Sequence, residues 1–121
     1  MASKANKEKA QKLVDEASEL LKRSDAEPEN KTQLALQVLD LMNEAITLDE
    51  TNDNAWSNRG FAKHALGHHQ SAIDDYNEAI RLNPKNDAAW NNRGSAKHDL
   101  GDHQGAMDDY NEAIKLNPKN D

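Results

Sequence analysis

The sequence contains no cysteine among its 121 residues. Disulfide bonds and thiolate metal sites are therefore excluded, and the absence fits the reducing environment of the cytoplasm. No apolar run approaches the ~20 residues of a membrane span, and the lysines near the start of the chain precede no apolar stretch. We therefore expect a cytoplasmic protein with neither a signal peptide nor a membrane partner.

Aromatic residues are also scarce, and basic residues are outnumbered by acidic ones. Phe, Trp and Tyr make up 4% of the sequence, and 22 acidic residues against 15 basic ones leave a net charge of −7. Because no basic stripe is present, we do not expect a nucleic-acid partner. A hydrophobic content of 36% together with this charge makes intrinsic disorder the first alternative to a fold. Only a periodic pattern of apolar residues would favour a folded chain instead.

Such a pattern fills the second half of the chain. Residues 53–86 and 87–120 align without gaps and agree at 26 of 34 positions. Each block places its apolar residues on two helical faces, which a Leu-Gly break separates at Gly67 and at Gly101. The unit is therefore predicted to be a helical hairpin. Stacked hairpins need fewer large apolar residues than a globule does.

The distribution of small and large residues favours close packing of the two helices. Small residues are expected where the helices approach each other, and large ones in the space between them. The small set is Gly60, Ala72, Gly94 and Ala106, and the large set is Trp56, Leu66, Tyr76, Trp90, Leu100 and Tyr110. The second helices start differently, because Asp102 is a good N-cap whereas its counterpart His68 is a poor one.

This pattern resembles the tetratricopeptide repeat over residues 53–120. The family's order of Trp, Gly, Ala, aromatic, Ala and Pro is met by Trp56, Gly60, Ala72, Tyr76, Ala79 and Pro84, and again by Trp90, Gly94, Ala106, Tyr110, Ala113 and Pro118.

Two positions in each block depart from the family pattern. Arginine stands where leucine is usual, at Arg59 and Arg93, and lysine where tyrosine is usual, at Lys63 and Lys97. Each arginine is expected either to pair with the aspartates of its second helix, at 74–75 or 108–109, or to reach a bound ligand.

Residues 1–52 are interpreted as a degenerate first hairpin with a longer loop between its helices. Apolar residues recur there at helical spacing, and the segment NEAITLD echoes NEAIRLN of the next block. Asn30 with Gln33 is expected to cap the second helix. The predicted fold is an all-α, right-handed solenoid of three hairpins, which span 1–52, 53–86 and 87–121.

No capping helix follows the third hairpin, so its outer side is expected to be open at Tyr110, Ala113, Ile114 and Leu116. The chain would then be a fragment of a longer array, an engineered repeat module, or a protein that covers this side by self-association. The similarity of the two blocks fits recent duplication and deliberate design equally well.

In tetratricopeptide repeats the first helices line a concave groove that holds a peptide or a helix. The resemblance implies the same function here, a protein–protein interaction module with a scaffold or adaptor role. Counting along the first helix of each block gives the candidate groove residues Asn54, Ser57, Asn58, Phe61, His64, Asn91, Asn92, Ser95, His98 and Asp99. Asparagine amides can donate to and accept from a peptide backbone. Phe61 either anchors the ligand or packs against the neighbouring helix.

One version of this groove, the carboxylate clamp that grips the acidic C-termini of heat-shock chaperones, is not matched. The positions that would carry Lys, Asn, Asn, Lys and Arg carry Asp15, Glu19, Asn58, Ala88 and Asn92. Only Asn58 agrees, and the acidic pair would repel a carboxylate.

The five histidines raise the alternative of weak metal binding. His64 and His68 are four residues apart, but Gly67 lies between them, and no carboxylate or third histidine is expected to complete a ligand set. We therefore predict neither a metal site nor a cofactor. Since no nucleophile stands beside a base, we do not expect an enzyme.

Overall fold

The computed structural model describes residues 1–119, and the predicted all-α repeat fold is confirmed in it. Its helices are α1 (Lys4–Ala26), α2 (Lys31–Leu48), α3 (Asp53–Ala65), α4 (His69–Leu82), α5 (Asp87–Asp99) and α6 (His103–Leu116). Asn120 and Asp121, which end the predicted third hairpin, lie outside the described residues. Within residues 1–119, none of these helices combines the length and the apolar character that crossing a bilayer requires.

The helices pack as consecutive hairpins along a line. α1 packs against α2, α3 against α4 and α5 against α6, and the second helix of one hairpin contacts the first helix of the next. The first helices also meet directly, α1 with α3 and α3 with α5. The first helices therefore lie side by side, as they do in helical-repeat proteins.

Glycine turns join the helices of the second and third hairpins. Gly67 and Gly101 have φ values of 87° and 90°, a conformation that other residues rarely adopt. After the second turn the Asp102 side chain accepts a hydrogen bond from the Gly105 amide at 2.9 Å and so caps α6. His68 makes no such bond to α4. The predicted difference between the two helix starts is confirmed.

The connection between α1 and α2 runs through a short 3-10 helix, Pro28–Asn30. The prediction that Asn30 caps α2 together with Gln33 is wrong, because Asn30 makes no side-chain bond to the helix. Its Nδ2 instead donates to Glu27 Oε1 at 3.1 Å. Its backbone, with φ −102° and ψ 6°, also lacks the extended conformation that is typical of an N-cap residue.

Close approach of α3 and α4 depends on Gly60. A Cβ atom on Gly60 would lie 2.8 Å from Cε1 of Tyr76, and the Tyr76 side chain is itself completely buried. The ring therefore occupies the space that any larger residue at position 60 would need. The predicted pairing of a small residue with a large one is confirmed here.

A buried carboxylate holds the arginine of the second hairpin. Arg59 donates from Nε and Nη2 to the two oxygens of Asp75, both at 2.9 Å, and Lys63 Nζ lies 3.1 Å from the same carboxylate. Arg59 Nη1 donates to Asn43 Oδ1 of α2 at 3.1 Å, and the Arg59 guanidinium lies 4.9 Å from the ring centre of Trp56. The predicted pairing of arginine with aspartate is confirmed.

The third hairpin repeats this network. Arg93 donates to the two oxygens of Asp109 at 2.9 and 2.7 Å, and Lys97 lies 3.1 Å from that carboxylate. Arg93 also donates to Asn77 Oδ1 of α4 at 2.9 Å and stacks on Trp90 at 4.8 Å. Each arginine thus bonds its own hairpin and the preceding one.

The third hairpin exposes large apolar side chains in its turn and on α6. Leu100, Met107 and Ile114 are 51%, 58% and 49% exposed. The prediction that Leu100 fills the space between helices is wrong, because among the described residues α6 packs against α5 alone.

Candidate peptide-binding groove

The side-by-side first helices α3 and α5 form a cavity of about 260 Å³ near their carboxyl ends. Half of the predicted groove residues line it, namely Phe61, His64, Asn92, Ser95 and Asp99. The remaining lining residues are Lys31, Ala65 and His69. Most of these side chains are polar or charged, and Phe61 is the one large apolar group among them.

The other predicted residues lie outside this cavity. Asn54 is exposed at the start of α3, where its Oδ1 accepts a bond from Asn86 Nδ2 at 3.3 Å. Ser57 is only 5% exposed, so a ligand could touch little of it. Asn91 is partly buried on α5, and His98 is exposed near the end of that helix.

Asn58 lies one turn before Phe61 on the same face of α3. Its Nδ2 atom is buried and has no hydrogen-bond partner within residues 1–119. A buried amide donor without a partner costs about 1 to 3 kcal/mol.

One difference between the two near-identical hairpins lies in the cavity itself. Phe61 occupies the position that Ser95 holds one repeat later. The Ser95 hydroxyl lies 3.2 Å from the hydroxyl of Tyr110, whereas the Tyr76 hydroxyl, which faces no such serine, is buried without a partner in the described chain. Burial raises the pKa of Tyr76, and the charge of Asp75 raises it further.

A hydrogen bond connects the two first helices at the end of the cavity. His64 Nε2 lies 2.6 Å from Asp99 Oδ2. This bond holds the pKa of Asp99 below its ordinary value. Since Lys31 lines the same cavity, both signs of charge are present there.

Two residues of the site were missed by counting along the first helices. Lys31 comes from the start of α2, and His69 from the start of α4. The rings of His64 and His69 meet edge to face with their centres 4.8 Å apart. The expectation that no carboxylate accompanies the histidines is wrong, because Asp99 joins this pair. The spacing of His64 and His69 around a glycine turn was the signal in the sequence.

Comparison with known proteins identifies the repeated unit. The family model of the tetratricopeptide repeat matches residues 54–86 and again 88–120. None of the curated proteins compared with the chain matches it in sequence.

Several solved structures are similar in fold. The Arabidopsis OM64 TPR domain has a TM-score of 0.78 at 26% identity, over 95% of this chain and 88% of that one. The Sgt2 TPR domain from Aspergillus fumigatus has a TM-score of 0.69 at 29% identity, over 86% of this chain and 68% of that one. The first TPR of Spaghetti (RPAP3), bound to the HSP90 peptide SRMEEVD, has a TM-score of 0.79 at 24% identity, over 94% and 83% of the two chains.

Proposed function

Because the chain belongs to the tetratricopeptide repeat family, we propose that it is a protein–protein interaction module that binds a peptide or a helix of a partner protein. The ligand lies along α3 and α5 and enters the cavity at their carboxyl ends. By holding one partner, the module acts as a scaffold or adaptor, without a catalytic role. We place this activity in the cytoplasm, as the absence of cysteine favours.

The observation that carries the proposal is the concave site between α3 and α5, which Phe61, Asn92 and Ser95 line. The Nδ2 of Asn58 is buried and has no hydrogen-bond partner within residues 1–119. If this side chain turns toward the groove, its amide can bond a backbone carbonyl of an extended peptide without breaking a bond inside the fold. Asn92, at the equivalent position of α5, lines the cavity. Two amides one repeat apart can therefore hold successive stretches of one ligand backbone.

Phe61 supplies the apolar contact. Its side chain is partly exposed and lines the cavity, so an aliphatic or aromatic side chain of the ligand can pack on it. Buried aromatic anchors dominate the binding energy of most interfaces. Backbone bonds to the asparagines and one apolar anchor together describe a ligand with a single preferred hydrophobic residue.

An acidic C-terminal peptide is not the ligand that we propose. The first TPR of Spaghetti, which is similar in fold, is bound to the HSP90 peptide SRMEEVD. This chain, however, carries Asp15 and Glu19 at two positions of the carboxylate clamp. Both residues are exposed on α1. Like charges would oppose the approach of that peptide.

The proposal is tested with peptides selected from a display library on the intact chain. A selected peptide is titrated against the wild type, against the double variant Asn58→Ala with Asn92→Ala, and against Phe61→Ser, which installs the residue of the next repeat. Asn111→Ala, an exposed asparagine of α6, is the matched control. We expect the double variant and Phe61→Ser each to lose at least tenfold in affinity, about 1.4 kcal/mol. The control should lose none.

Unchanged affinity in the double variant would show that the groove assignment is wrong. The peptide SRMEEVD serves as a second probe, and we expect it to bind more weakly than the selected peptides. Tight binding of SRMEEVD would overturn the argument from charge while leaving a peptide-binding function in place.

Self-association is a second candidate function, favoured by the exposed apolar residues of α6. Met107 and Ile114 are 58% and 49% exposed, and apolar surface of this kind commonly marks an interface. Light scattering at rising protein concentration tests it. A particle that stays monomeric throughout would exclude this candidate.

A further inference from the structure

Three metal-ligating side chains converge at the end of the cavity. His64 lies in the last turn of α3, His69 begins α4, and Asp99 ends α5. One ligand atom from each lies within 4.8 Å of the other two. The glycine turn at Gly67 brings the two histidines together, and the packing of α5 beside α3 adds the carboxylate.

We propose that His64, His69 and Asp99 bind one divalent transition-metal ion, with Zn²⁺ as the ion that fits them best. Imidazole nitrogen and carboxylate oxygen are ligands that zinc prefers, at about 2.0 to 2.2 Å. Calcium and magnesium prefer oxygen ligands alone, so two histidines disfavour them.

Side-chain movement alone can bring the three ligand atoms to the distances of a zinc site. Ligand atoms around a tetrahedral zinc ion lie about 3.3 Å apart, as follows from the bond lengths above. His64 Nε2 and Asp99 Oδ2 are now 2.6 Å apart, since they share a hydrogen bond. The metal takes the place of the shared proton, so this pair opens slightly and the more distant ring of His69 closes in.

Two further features of the site fit a metal ion. His69 Nδ1 is buried and has no hydrogen-bond partner in the described chain, although buried ring nitrogens normally have one. The neighbouring cavity of about 260 Å³ leaves room for a fourth ligand. Zinc in proteins is often held by three protein ligands with a water molecule or another small ligand in the fourth position.

The next repeat contains the same histidine pair without the carboxylate. His98 Nδ1 lies 3.1 Å from His103 Nδ1, and the two ring centres are 4.9 Å apart. Among residues 1–119 no third ligand joins this pair in a group like the first. The chain therefore carries its own control, because the pairs differ in whether a carboxylate from a following repeat reaches them.

A purely structural role for the His64–Asp99 bond would involve fewer residues than a metal site. A hydrogen bond that only locks α3 to α5 needs two residues and no contribution from His69. A metal site needs all three. The effect of changing His69 therefore distinguishes the two roles.

The experiment is a calorimetric titration of ZnCl₂ into the full chain without a histidine tag. We expect one ion per chain. His69→Ala and Asp99→Asn should each weaken binding by more than about tenfold, since loss even of a residue that only orients a metal ligand costs that much. His103→Ala should leave the affinity unchanged. Co²⁺ in place of Zn²⁺ adds a second readout, because its visible absorption reports the ligand geometry.

Circular dichroism shows whether each variant is folded, and His69→Gln and His103→Gln replace the two alanine variants if either of them is not. The absence of heat beyond dilution in the wild type would overturn the proposal. Equal affinity in the His69→Ala and His103→Ala variants would overturn it as well. The assay contains no peptide, so its failure and the failure of the proposed peptide binding are independent results.

Discussion

The second and third hairpins agree at 26 of 34 positions, yet their second helices have different surroundings. α4 lies between α3 and α5, whereas α6 packs in the described chain on α5 alone. Accordingly Tyr76 is completely buried and Ile73 is 8% exposed, while Tyr110 is partly exposed and Met107 is 58% exposed. The neighbouring hairpin, and not the residue itself, determines how much these positions contribute to the core.

The buried ion pairs, in contrast, are alike in the two hairpins. Asp75 and Asp109 are 3% and 2% exposed, and each is held by an arginine and a lysine of its own hairpin. Each hairpin thus combines a part that it completes alone with a part that its neighbour completes. Repeat proteins in general divide their stability between these two kinds of contribution.

The strongest test of the comparison removes the two tyrosines. We expect Tyr76→Ala to lower the free energy of unfolding by about 4 kcal/mol, as for other large buried aromatics, and Tyr110→Ala by roughly half of that, because its ring is already partly in water. Urea unfolding followed by circular dichroism measures both. Equal losses would mean that the neighbouring hairpin is not what buries the ring.

The aspartates should behave alike where the tyrosines differ. Asp75→Ala and Asp109→Ala should each cost about 3 kcal/mol, since removal of one partner leaves two cations without their buried counter-charge. Asp74→Ala, an exposed neighbour, should change stability by less than about 0.5 kcal/mol. If Asp109→Ala cost much less than Asp75→Ala, the network would depend on the next hairpin after all.

Removal of the tyrosine hydroxyls should have opposite signs in the two hairpins. Tyr76→Phe deletes a buried hydroxyl without a partner and should stabilise the fold by about 1 kcal/mol. Tyr110→Phe breaks the contact with Ser95 and should destabilise it by about 0.5 to 1 kcal/mol. Thermal unfolding of the two variants side by side gives the signs directly, and a loss in both would contradict the argument.

The smallest expected effect concerns the start of α4. His68→Asp copies the cap that Asp102 provides to α6 and should raise stability by about 0.5 kcal/mol. Ser71 stands where α6 has Gly105, and a Cβ at that glycine would come within 2.3 Å of the Asp102 carboxylate. The full gain therefore needs Ser71→Gly as well if the new carboxylate adopts the same position. Amide exchange in the first turn of α4 shows whether the cap has formed.

Local spacing was sufficient to predict the repeat fold, the glycine turns and the pairing of Arg59 with its aspartate. These features depend on residues within one 34-residue unit. The prediction of a cap at Asn30 failed because the chain forms a 3-10 helix there, which gives Asn30 a backbone conformation unlike that of an N-cap residue. The prediction that Leu100 is buried between helices failed because its burial depends on a following hairpin and not on the sequence around it.

The candidate site was predicted in part for a similar reason. Counting along the first helices finds Phe61, Asn92 and Ser95, which share a helical face. It does not find Lys31, which comes from the irregular first hairpin, or His69, which comes from a second helix. A site that combines three hairpins and a turn has no single period in the sequence.

The backward bonds of the arginines bear on how such an array changes in length. Arg59 reaches Asn43 and Arg93 reaches Asn77, and Asn111, 34 residues after Asn77, holds the same position on α6. A further copy joined in phase would meet an acceptor already in place for its own arginine. Whole units can thus be gained or lost by duplication or deletion, because each arginine finds its asparagine 16 residues earlier. An insertion between the two would break that one bond and leave those of the later units in place.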